Sequence, residues 1–253
     1  MKALITGATS GIGRSIARNL SKRGWELILT GRNESALIGL KEELGNTEII
    51  KADLSKREDV FKVYRFCCGK GVDMLVNNAG YGVFGRFIET DLENELDMIN
   101  VNITAVHILM KLFLRDFRKQ GHGRILNVAS SAGFLTGPLL SSYYASKNYV
   151  VRLSLAVAEE LRRERSNITI TVLCPGPVDT NFNDRAGVSF SMKPISAEYA
   201  ADYAVRKVLS GQLIAIPGFM VRAGVAASRF VPHSLLARLV YGIQKRKKEN
   251  VRS

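Results

Sequence analysis

The sequence predicts a doubly wound α/β domain in which a parallel sheet carries helices on both faces. Short apolar segments alternate with longer segments of helical periodicity along most of the 253 residues. The short segments are continuously apolar, which is typical of strands that are covered on both faces. With 46% apolar and 23% charged residues, the composition excludes a disordered or collagen-like chain.

Strands that are separated by helices form right-handed βαβ units, so the strands are expected to be parallel. The predicted strands are Ala3–Thr6, Glu26–Thr30, Thr47–Ala52, Met74–Asn77, Arg124–Val128, Thr169–Cys174 and Leu213–Ile216. The predicted helices are Arg14–Arg23, Glu34–Leu44, Asp59–Cys67, Leu92–Lys119, Ser142–Arg163 and Ala197–Leu209. No linker or repeat divides the chain, so residues 1–217 are predicted to form a single domain with a helical extension over residues 218–253.

A glycine-rich loop, Thr-Gly-Ala-Thr-Ser-Gly-Ile-Gly, joins the first strand to the first helix. Gly7 permits a tight turn, Gly11 lets the backbone approach a pyrophosphate, and Gly13 allows close contact between helix and strand. The helix N-terminus offers free N–H groups and a positive dipole end to phosphates. The loop therefore predicts a dinucleotide site, although a structural strand–helix turn is the alternative.

The ends of the second and third strands bear on the kind of dinucleotide. Such folds commonly place an acid after the second strand when the ribose 2′-hydroxyl is free, and a basic residue when it is phosphorylated. Arg32 stands there and no acid does, which favours NADP(H) over NAD(H) unless Arg32 is only a solvated surface residue. Asp53, followed by Leu54, is placed to hydrogen-bond the adenine, or is an ordinary turn aspartate.

Candidate catalytic residues follow strands four, five and six, at the sheet edge where doubly wound folds bind ligands. The segments are 77–80, 127–133 and 175–180. Tyr143 and Lys147 lie between them and share one helix face, because residues i and i+4 are neighbours on a helix. A nearby ammonium favours the phenolate and lowers the pKa of a tyrosine, although such pairs are also common on exposed helices.

The order of these motifs resembles the short-chain dehydrogenase/reductase superfamily in its small single-domain form. Asn-Asn-Ala-Gly follows the glycine loop, Ser130 precedes Tyr143 by thirteen residues, and Tyr-x-x-x-Lys is followed by Pro-Gly-x-Val-x-Thr. The resemblance covers about residues 1–217, and the extension is similar to that of bacterial relatives of hydroxysteroid and long-chain 3-oxoacyl reductases. It implies a Rossmann-like fold and hydride exchange between a nicotinamide and an alcohol/carbonyl pair.

The resemblance also implies individual roles. Tyr143 would protonate the carbonyl oxygen, Ser130 would hold that oxygen, and Lys147 would lower the pKa of Tyr143 and hydrogen-bond the nicotinamide ribose. Asn102 would support a water-linked proton relay, for which Asn100 is the weaker match. The implied cofactor-binding residues are Gly7, Thr9, Ser10, Gly11, Ile12, Gly13, Arg32, Asp53, Leu54, Asn78, Ala79, Gly80, Tyr143, Lys147, Pro175, Gly176, Val178 and Thr180.

The substrate pocket of the family is built from the segment after strand six, here residues 181–196, and from side chains near Ser130 and Tyr143. An apolar lining would suit a steroid-like or acyl-chain ketone, with a 3-oxoacyl-carrier-protein substrate as the alternative. The expected substrate contacts are Phe134, Leu135, Leu140 and Phe182. Further candidates, which could instead only pack the pocket lid, are Tyr81, Val83, Phe84, Leu139, Phe190 and Met192.

The formal charge of +13 is concentrated at the end of the chain, where residues 222–253 carry eight basic residues and one acid. A protein-wide nucleic-acid surface is therefore not expected. Residues 223–248 are expected to form one or two amphipathic helices, with Pro232 starting the second. Their apolar stripe could be covered by the domain itself or by a second subunit, giving a homodimer or homotetramer. An anionic membrane surface and an entrance for amphipathic substrates are the alternatives.

The remaining features bear on compartment and function class. Three cysteines predict neither a disulfide framework nor a metal site. No targeting segment and no apolar run long enough to span a bilayer is evident, so a cytoplasmic location is expected. A dinucleotide-sensing regulator and a membrane-surface interaction protein are the rival classes. The intact set of Ser130, Tyr143 and Lys147 favours an enzyme.

Overall fold

The computed structural model describes residues 1–180 and 194–249. Its main sheet has seven strands in the order β3-β2-β1-β4-β5-β6-β9, and every neighbouring pair is parallel. These strands are β1 (Lys2–Thr6), β2 (Glu26–Gly31), β3 (Thr47–Lys51), β4 (Met74–Asn77), β5 (Gly123–Val128), β6 (Ile168–Leu173) and β9 (Ile214–Ala215). Two short strands, β7 (Val178–Asp179) and β8 (Ile195–Ser196), pair separately. The predicted doubly wound fold is confirmed.

Helices cover both faces of this sheet. Their bounds are α1 (Gly11–Lys22), α2 (Glu34–Leu44), α3 (Arg57–Cys67), α4 (Leu92–Ile99), α5 (Val106–Gln120), α6 (Ser141–Arg163), α7 (Ala197–Leu209), α8 (Phe219–Ser228) and α9 (His233–Glu249). Successive strand residues point to opposite faces, so Ile5 enters one core cluster and Leu4 enters the other. The continuous apolar character of the strands follows from this two-sided burial.

The predicted helix Leu92–Lys119 is interrupted. Between α4 and α5 the residues Asn100–Ala105 form a π-helix, so the helical segment runs from Leu92 to Gln120 with one widened turn. By its 29-residue length and its composition alone this segment could cross a membrane, so the expectation that no apolar run is long enough is wrong. Part of its apolar surface belongs to the core, where Leu109, Phe113 and Phe117 pack beneath the sheet.

The C-terminal extension forms two helices, as predicted for residues 223–248. The second, α9, begins directly after Pro232, whose carbonyl oxygen accepts a hydrogen bond from the Leu236 N–H at 2.9 Å. Helix α8 packs against a 3₁₀ turn at Ser131–Phe134, and both helices bury apolar residues, Val225 in α8 and Val240 in α9. The expected substrate segment 181–196 falls largely outside the described residues, and with it Phe182, Phe190 and Met192.

Candidate active site

A cleft of about 560 Å³ lies along the carboxyl edge of the sheet, where the strand order reverses between β1 and β4. It brings together most of the predicted site residues from six different loops and from helix α6. The predicted residues that line it are Gly7, Thr9, Ser10, Gly11, Ile12, Arg32, Asp53, Leu54, Asn78, Ala79, Gly80, Ser130, Leu140, Tyr143, Lys147, Pro175, Gly176, Val178 and Thr180. A single ligand in the cleft can therefore contact both the glycine loop and the Tyr143 region.

The glycine loop is held against the end of β4. The Asn78 amide donates hydrogen bonds to the carbonyl oxygens of Thr6, at 2.9 Å, and Gly7, at 3.1 Å. A side chain at Gly13 would place its Cβ 2.5 Å from the Gly7 carbonyl oxygen, so Gly13 lies under the loop rather than in the cleft. Gly7 has a φ of +62°, which other residues rarely adopt. The glycines thus serve close packing as well as ligand approach.

Helix α1 begins at the cleft without a side-chain cap, since Ser10 makes no capping hydrogen bond. The N–H groups of its first turn therefore face an anion site together with the positive end of the helix dipole. This uncapped helix start and the crowded glycine turn fit a dinucleotide diphosphate.

The predicted ribose and adenine residues lie further along the same cleft. Arg32 is exposed and forms no ion pair with any residue in the described ranges. Asp53 accepts a hydrogen bond from the Ser55 N–H at 3.1 Å, so it does form a turn aspartate while also lining the cleft. Leu54 is buried beside it. The cation is thus left available to an anionic ligand.

Burial shifts the pKa values of Tyr143 and Lys147 in opposite directions. Tyr143 is 9% exposed, and burial raises its pKa above the ordinary value while a hydrogen bond with the Ser130 side chain opposes this shift. Lys147 is 5% exposed, and burial lowers its pKa to about 8. Its Nζ donates to the Val128 carbonyl oxygen at 3.0 Å and lies 5.8 Å from the centre of the Tyr143 ring. The implied lowering of the Tyr143 pKa by Lys147 is therefore not seen here.

Asn102 lies behind this pair in the π-helix and is fully buried. Its amide donates to the Tyr81 carbonyl oxygen at 2.9 Å and to Ser146 Oγ at 3.0 Å, and accepts from the Tyr81 N–H at 3.1 Å. A Cβ on Gly80 would lie 2.9 Å from Asn102 Oδ1 and 3.2 Å from Lys147 Nζ. Asn102 is thus next to the Lys147 region, although its side chain does not line the cleft.

The expected substrate contacts are only partly brought to the cleft. Leu140 is 4% exposed, lines it, and belongs with Tyr143 to an apolar cluster that Tyr81, Val83 and Phe84 pack against. Phe134 and Leu135 are not among the described residues that line it. Phe134 packs instead against the core cluster that contains Val225, because the 3₁₀ turn directs it toward α8.

The cleft also contains a contacting pair of polar side chains that the sequence analysis did not predict as ligands. Tyr144 and Gln244 both line it, and Gln244 Nε2 donates to the Tyr144 hydroxyl at 2.7 Å. Gln244 is four residues after Val240, so both lie on the buried face of α9. A polar residue in the apolar row of an amphipathic helix was the available signal.

The glycine loop, the arginine and the Ser130–Tyr143–Lys147 group occupy one cleft on a doubly wound fold. The sequence matches the family described as short chain dehydrogenase over residues 1–188. This chain belongs to the short-chain dehydrogenase family. Membership makes it an oxidoreductase of alcohol and ketone groups that binds a nicotinamide dinucleotide.

Curated relatives of this short-chain dehydrogenase carry several names. Nodulation protein G of Rhizobium sp. (strain N33) is 35% identical over 73% of the chain and 76% of its own length. The very-long-chain 3-oxoacyl-CoA reductase of Anas platyrhynchos is 34% identical over 78% of this chain and 65% of its own length. The 7beta-hydroxysteroid dehydrogenase of Mediterraneibacter gnavus is 30% identical over 68% of this chain and 67% of its own length. The resemblance to hydroxysteroid and 3-oxoacyl reductases is confirmed.

Solved structures agree on the fold and differ in the dinucleotide. A short-chain dehydrogenase from Sphingobium yanoikuyae in complex with NADPH superposes with a TM-score of 0.83, at 30% identity over 90% of this chain and 92% of that one. A family member from Burkholderia phymatum in complex with NAD has a TM-score of 0.81, at 25% identity over 89% and 91%. The choice of dinucleotide therefore depends on this chain's own residues.

Proposed function

We propose that this short-chain dehydrogenase is an NADP(H)-dependent enzyme that interconverts a ketone and a secondary alcohol, with Tyr143 as the general acid/base. The observation that carries the proposal is the position of Tyr143 in the cleft, hydrogen-bonded to Ser130 and one helical turn from Lys147. When bound, the nicotinamide supplies or accepts the hydride. The chain supplies the binding site and the proton.

The cleft-lining residues can be assigned to the successive parts of the dinucleotide that they would hold. The uncapped start of α1 and the Gly7–Gly13 loop would bind the diphosphate, and Arg32 would bind the 2′-phosphate through a charge-assisted hydrogen bond. Asp53 and Leu54 would contact the adenine. Asn78–Gly80, Lys147 and residues 175–180 would line the nicotinamide end.

Tyr143 moves the proton. Its raised pKa keeps the hydroxyl protonated at neutral pH, so it can donate to the substrate oxygen as a carbonyl becomes an alcohol. Ser130 would hydrogen-bond the same oxygen and hold it beside the phenol. Lys147, as an ammonium, would stabilise the tyrosinate that remains, and Asn102 would position the groups through which the proton is replaced. Alcohol oxidation runs the same transfer in reverse.

The substrate proposed is an apolar ketone, steroid-like or carrying an acyl chain. Leu140, Val101 and the apolar cluster next to Tyr143 support it, because such a lining favours apolar ligands. The similarity to a hydroxysteroid dehydrogenase and a 3-oxoacyl-CoA reductase supports the same class. A 3-oxoacyl thioester is the second candidate, favoured by the latter relative.

Replacing Tyr143 by Phe tests the central role. We expect kcat to fall by roughly 10²- to 10⁴-fold, because the variant loses only the proton-transferring hydroxyl, while binding of NADPH is retained. Ketone reduction followed at the nicotinamide absorbance, with fluorescence titration of NADPH, measures both. Tyr149→Phe, on the same helix but partly exposed, is the matched control. A Tyr143→Phe enzyme as active as that control would contradict the assignment.

Arg32 tests the proposed cofactor preference. Losing a charge-assisted contact to the 2′-phosphate should weaken NADPH binding roughly 10- to 100-fold in Arg32→Ala and leave NADH binding nearly unchanged. Arg65→Ala, an exposed arginine outside the cleft, is the control. Equal dissociation constants of the wild-type enzyme for NADPH and NADH would refute the preference.

Assembly and compartment complete the proposal. The three cysteines are free thiols, which suits the reducing cytoplasm. Leu235, Leu239 and Ile243 form an exposed row on α9, which supports a homodimer or homotetramer that covers part of it.

A further inference from the structure

The C-terminal helix α9 places one polar side chain in the wall of the active-site cleft. Gln244 is 1% exposed and lines the cleft together with Tyr143, Tyr144 and Lys147. Its Nε2 donates to the Tyr144 hydroxyl at 2.7 Å, across a sequence separation of 100 residues. The extension is therefore part of the cleft.

The Gln244 amide is only half satisfied. Its Oε1 is buried away from water, and none of the residues that the structure describes donates a hydrogen bond to it. An acceptor left in this state lowers stability, and such atoms are few in folded proteins. The Tyr144 hydroxyl accepts from Gln244, and among the described residues its own proton has no acceptor. The pair therefore presents at least one unused acceptor and at least one unused donor.

This balance does not depend on the orientation of the amide. If the amide is turned over, Oε1 accepts the Tyr144 proton, and Nε2 becomes the unused donor beside the unused lone pair of the Tyr144 oxygen. Each arrangement leaves at least one unused donor and at least one unused acceptor on two groups that touch each other. A hydroxyl group is complementary to both arrangements, since its single oxygen atom can donate and accept at once.

We propose that Gln244 and Tyr144 form a polar subsite that binds a second hydroxyl group of the substrate, apart from the carbonyl that is reduced. This inference rests on the proposed function and adds a specificity-determining residue from α9. The Tyr143 and Tyr144 rings are 6.1 Å apart, so one substrate can contact both. Because Oε1 is closed to water, the Gln244 side chain must turn toward the cleft as substrate binds. The hydrogen bonds that the second hydroxyl forms with Gln244 and Tyr144 offset the free-energy cost of turning the side chain.

The same geometry disfavours other ligand groups. A plain ketone or hydrocarbon would leave both unused positions unsatisfied in a buried setting, which reduces affinity. A carboxylate would face the amide oxygen, and the part of α9 whose side chains the structure describes places no cation in the cleft wall. Hydroxylated ketones are therefore preferred over plain ketones of the same shape.

Matched ketones test this preference. Decalin-2-one and its ring-hydroxylated derivatives differ by one hydroxyl, so the ratio of their kcat/KM values isolates the subsite. We expect wild type to favour at least one hydroxylated member by about tenfold or more, and Gln244→Met to bring this ratio close to one. Tyr144→Phe should act in the same direction, and the double variant should lose little more, because both residues serve one subsite. Gln212→Met, an exposed glutamine outside the cleft, should keep the wild-type ratio.

Calorimetric binding of the same compounds separates this inference from the proposed function. Preferential binding of a hydroxylated decalone without turnover by wild type would refute the ketone reductase and keep the subsite. Turnover by wild type with no preference for any hydroxylated member, in rate or in binding, would overturn the subsite. An equal loss for plain and hydroxylated ketones in Gln244→Met would also overturn it, since that pattern indicates a structural role alone.

Discussion

At the scale of single residues, burial sets the charge states at the centre of the cleft. It holds Tyr143 protonated and makes Lys147 easier to deprotonate than an exposed lysine, because charged forms are disfavoured away from water. Lys147 faces Cys174, whose thiol pKa burial raises to about 12, so this neighbour stays neutral near pH 8. The hydrogen bond from Lys147 to Val128 is a weak substitute for solvation. The buried cation therefore costs stability.

Lys147→Met makes this cost measurable. Between pH 8 and the ordinary value of 10.5 the unfolded chain binds more protons at Lys147 than the folded one, so the free energy of unfolding of wild type rises with pH there. We expect Lys147→Met to be more stable than wild type by about 1–3 kcal/mol at pH 7. That gap should narrow by pH 10. Urea unfolding of both proteins from pH 7 to pH 10 measures this difference in the free energy of unfolding. A difference that does not change with pH would contradict the lowered pKa of Lys147.

Residues whose function depends on local chain geometry were predictable from the sequence. The glycine loop, Arg32 and the Tyr143–Lys147 spacing depend on strand ends and on one helical turn, and the structure places them in one cleft. Gln244 was not predictable, because its role depends on where α9 docks. The packing of Phe134 against the cluster that contains Val225 was not predictable either, because it also depends on how the C-terminal helices dock.

At the scale of elements, the π-helix at Asn100–Ala105 is the main departure from expectation. Apolar periodicity cannot distinguish one widened turn inside a helix from regular α-helix. The widened turn contains Asn102, and the three hydrogen bonds of this side chain attach it to Tyr81 and Ser146. It therefore connects the helix to the β4 loop and to α6, which carries Tyr143 and Lys147.

Asn102→Leu should break that connection. The change keeps the volume but leaves the Tyr81 N–H and carbonyl groups without these partners, so the free energy of unfolding should fall by about 2–4 kcal/mol. Asn100 accepts a long 3.4 Å hydrogen bond from Thr104 and, among the described residues, its side chain forms no other. The control variant Asn100→Leu should therefore cost less than about 1 kcal/mol. Denaturant unfolding compares the two variants. An equal decrease in the free energy of unfolding of both variants would show that the hydrogen bonds of Asn102 do not contribute specifically to stability.

At the scale of the whole molecule, the C-terminal helices are docked on the domain. Val225 of α8 enters a core cluster with Val151 and Val172, and Val221 lies next to Gly176, where an added Cβ would be 2.8 Å from its Cγ2. The outer side of α9 remains exposed, with Leu239 and Ile243 at 54% each and Arg238 nearby. Amphipathic periodicity predicted these helices, but the surface they cover follows only from tertiary packing.

Two truncations separate the contributions of these helices. Ending the chain after Gly218 removes α8 and α9 and uncovers the cluster around Val225, so Tm should fall by more than about 5 °C and turnover should be lost. Ending it after Val231 keeps α8, so Tm should fall less, while the contact between Gln244 and Tyr144 is lost. Calorimetry, ketone reduction and sedimentation with anionic vesicles are measured on both. A chain ending at Gly218 that keeps its Tm and turnover but no longer sediments with vesicles would assign the extension to a membrane surface, because an exposed apolar row beside basic residues suits anionic lipid.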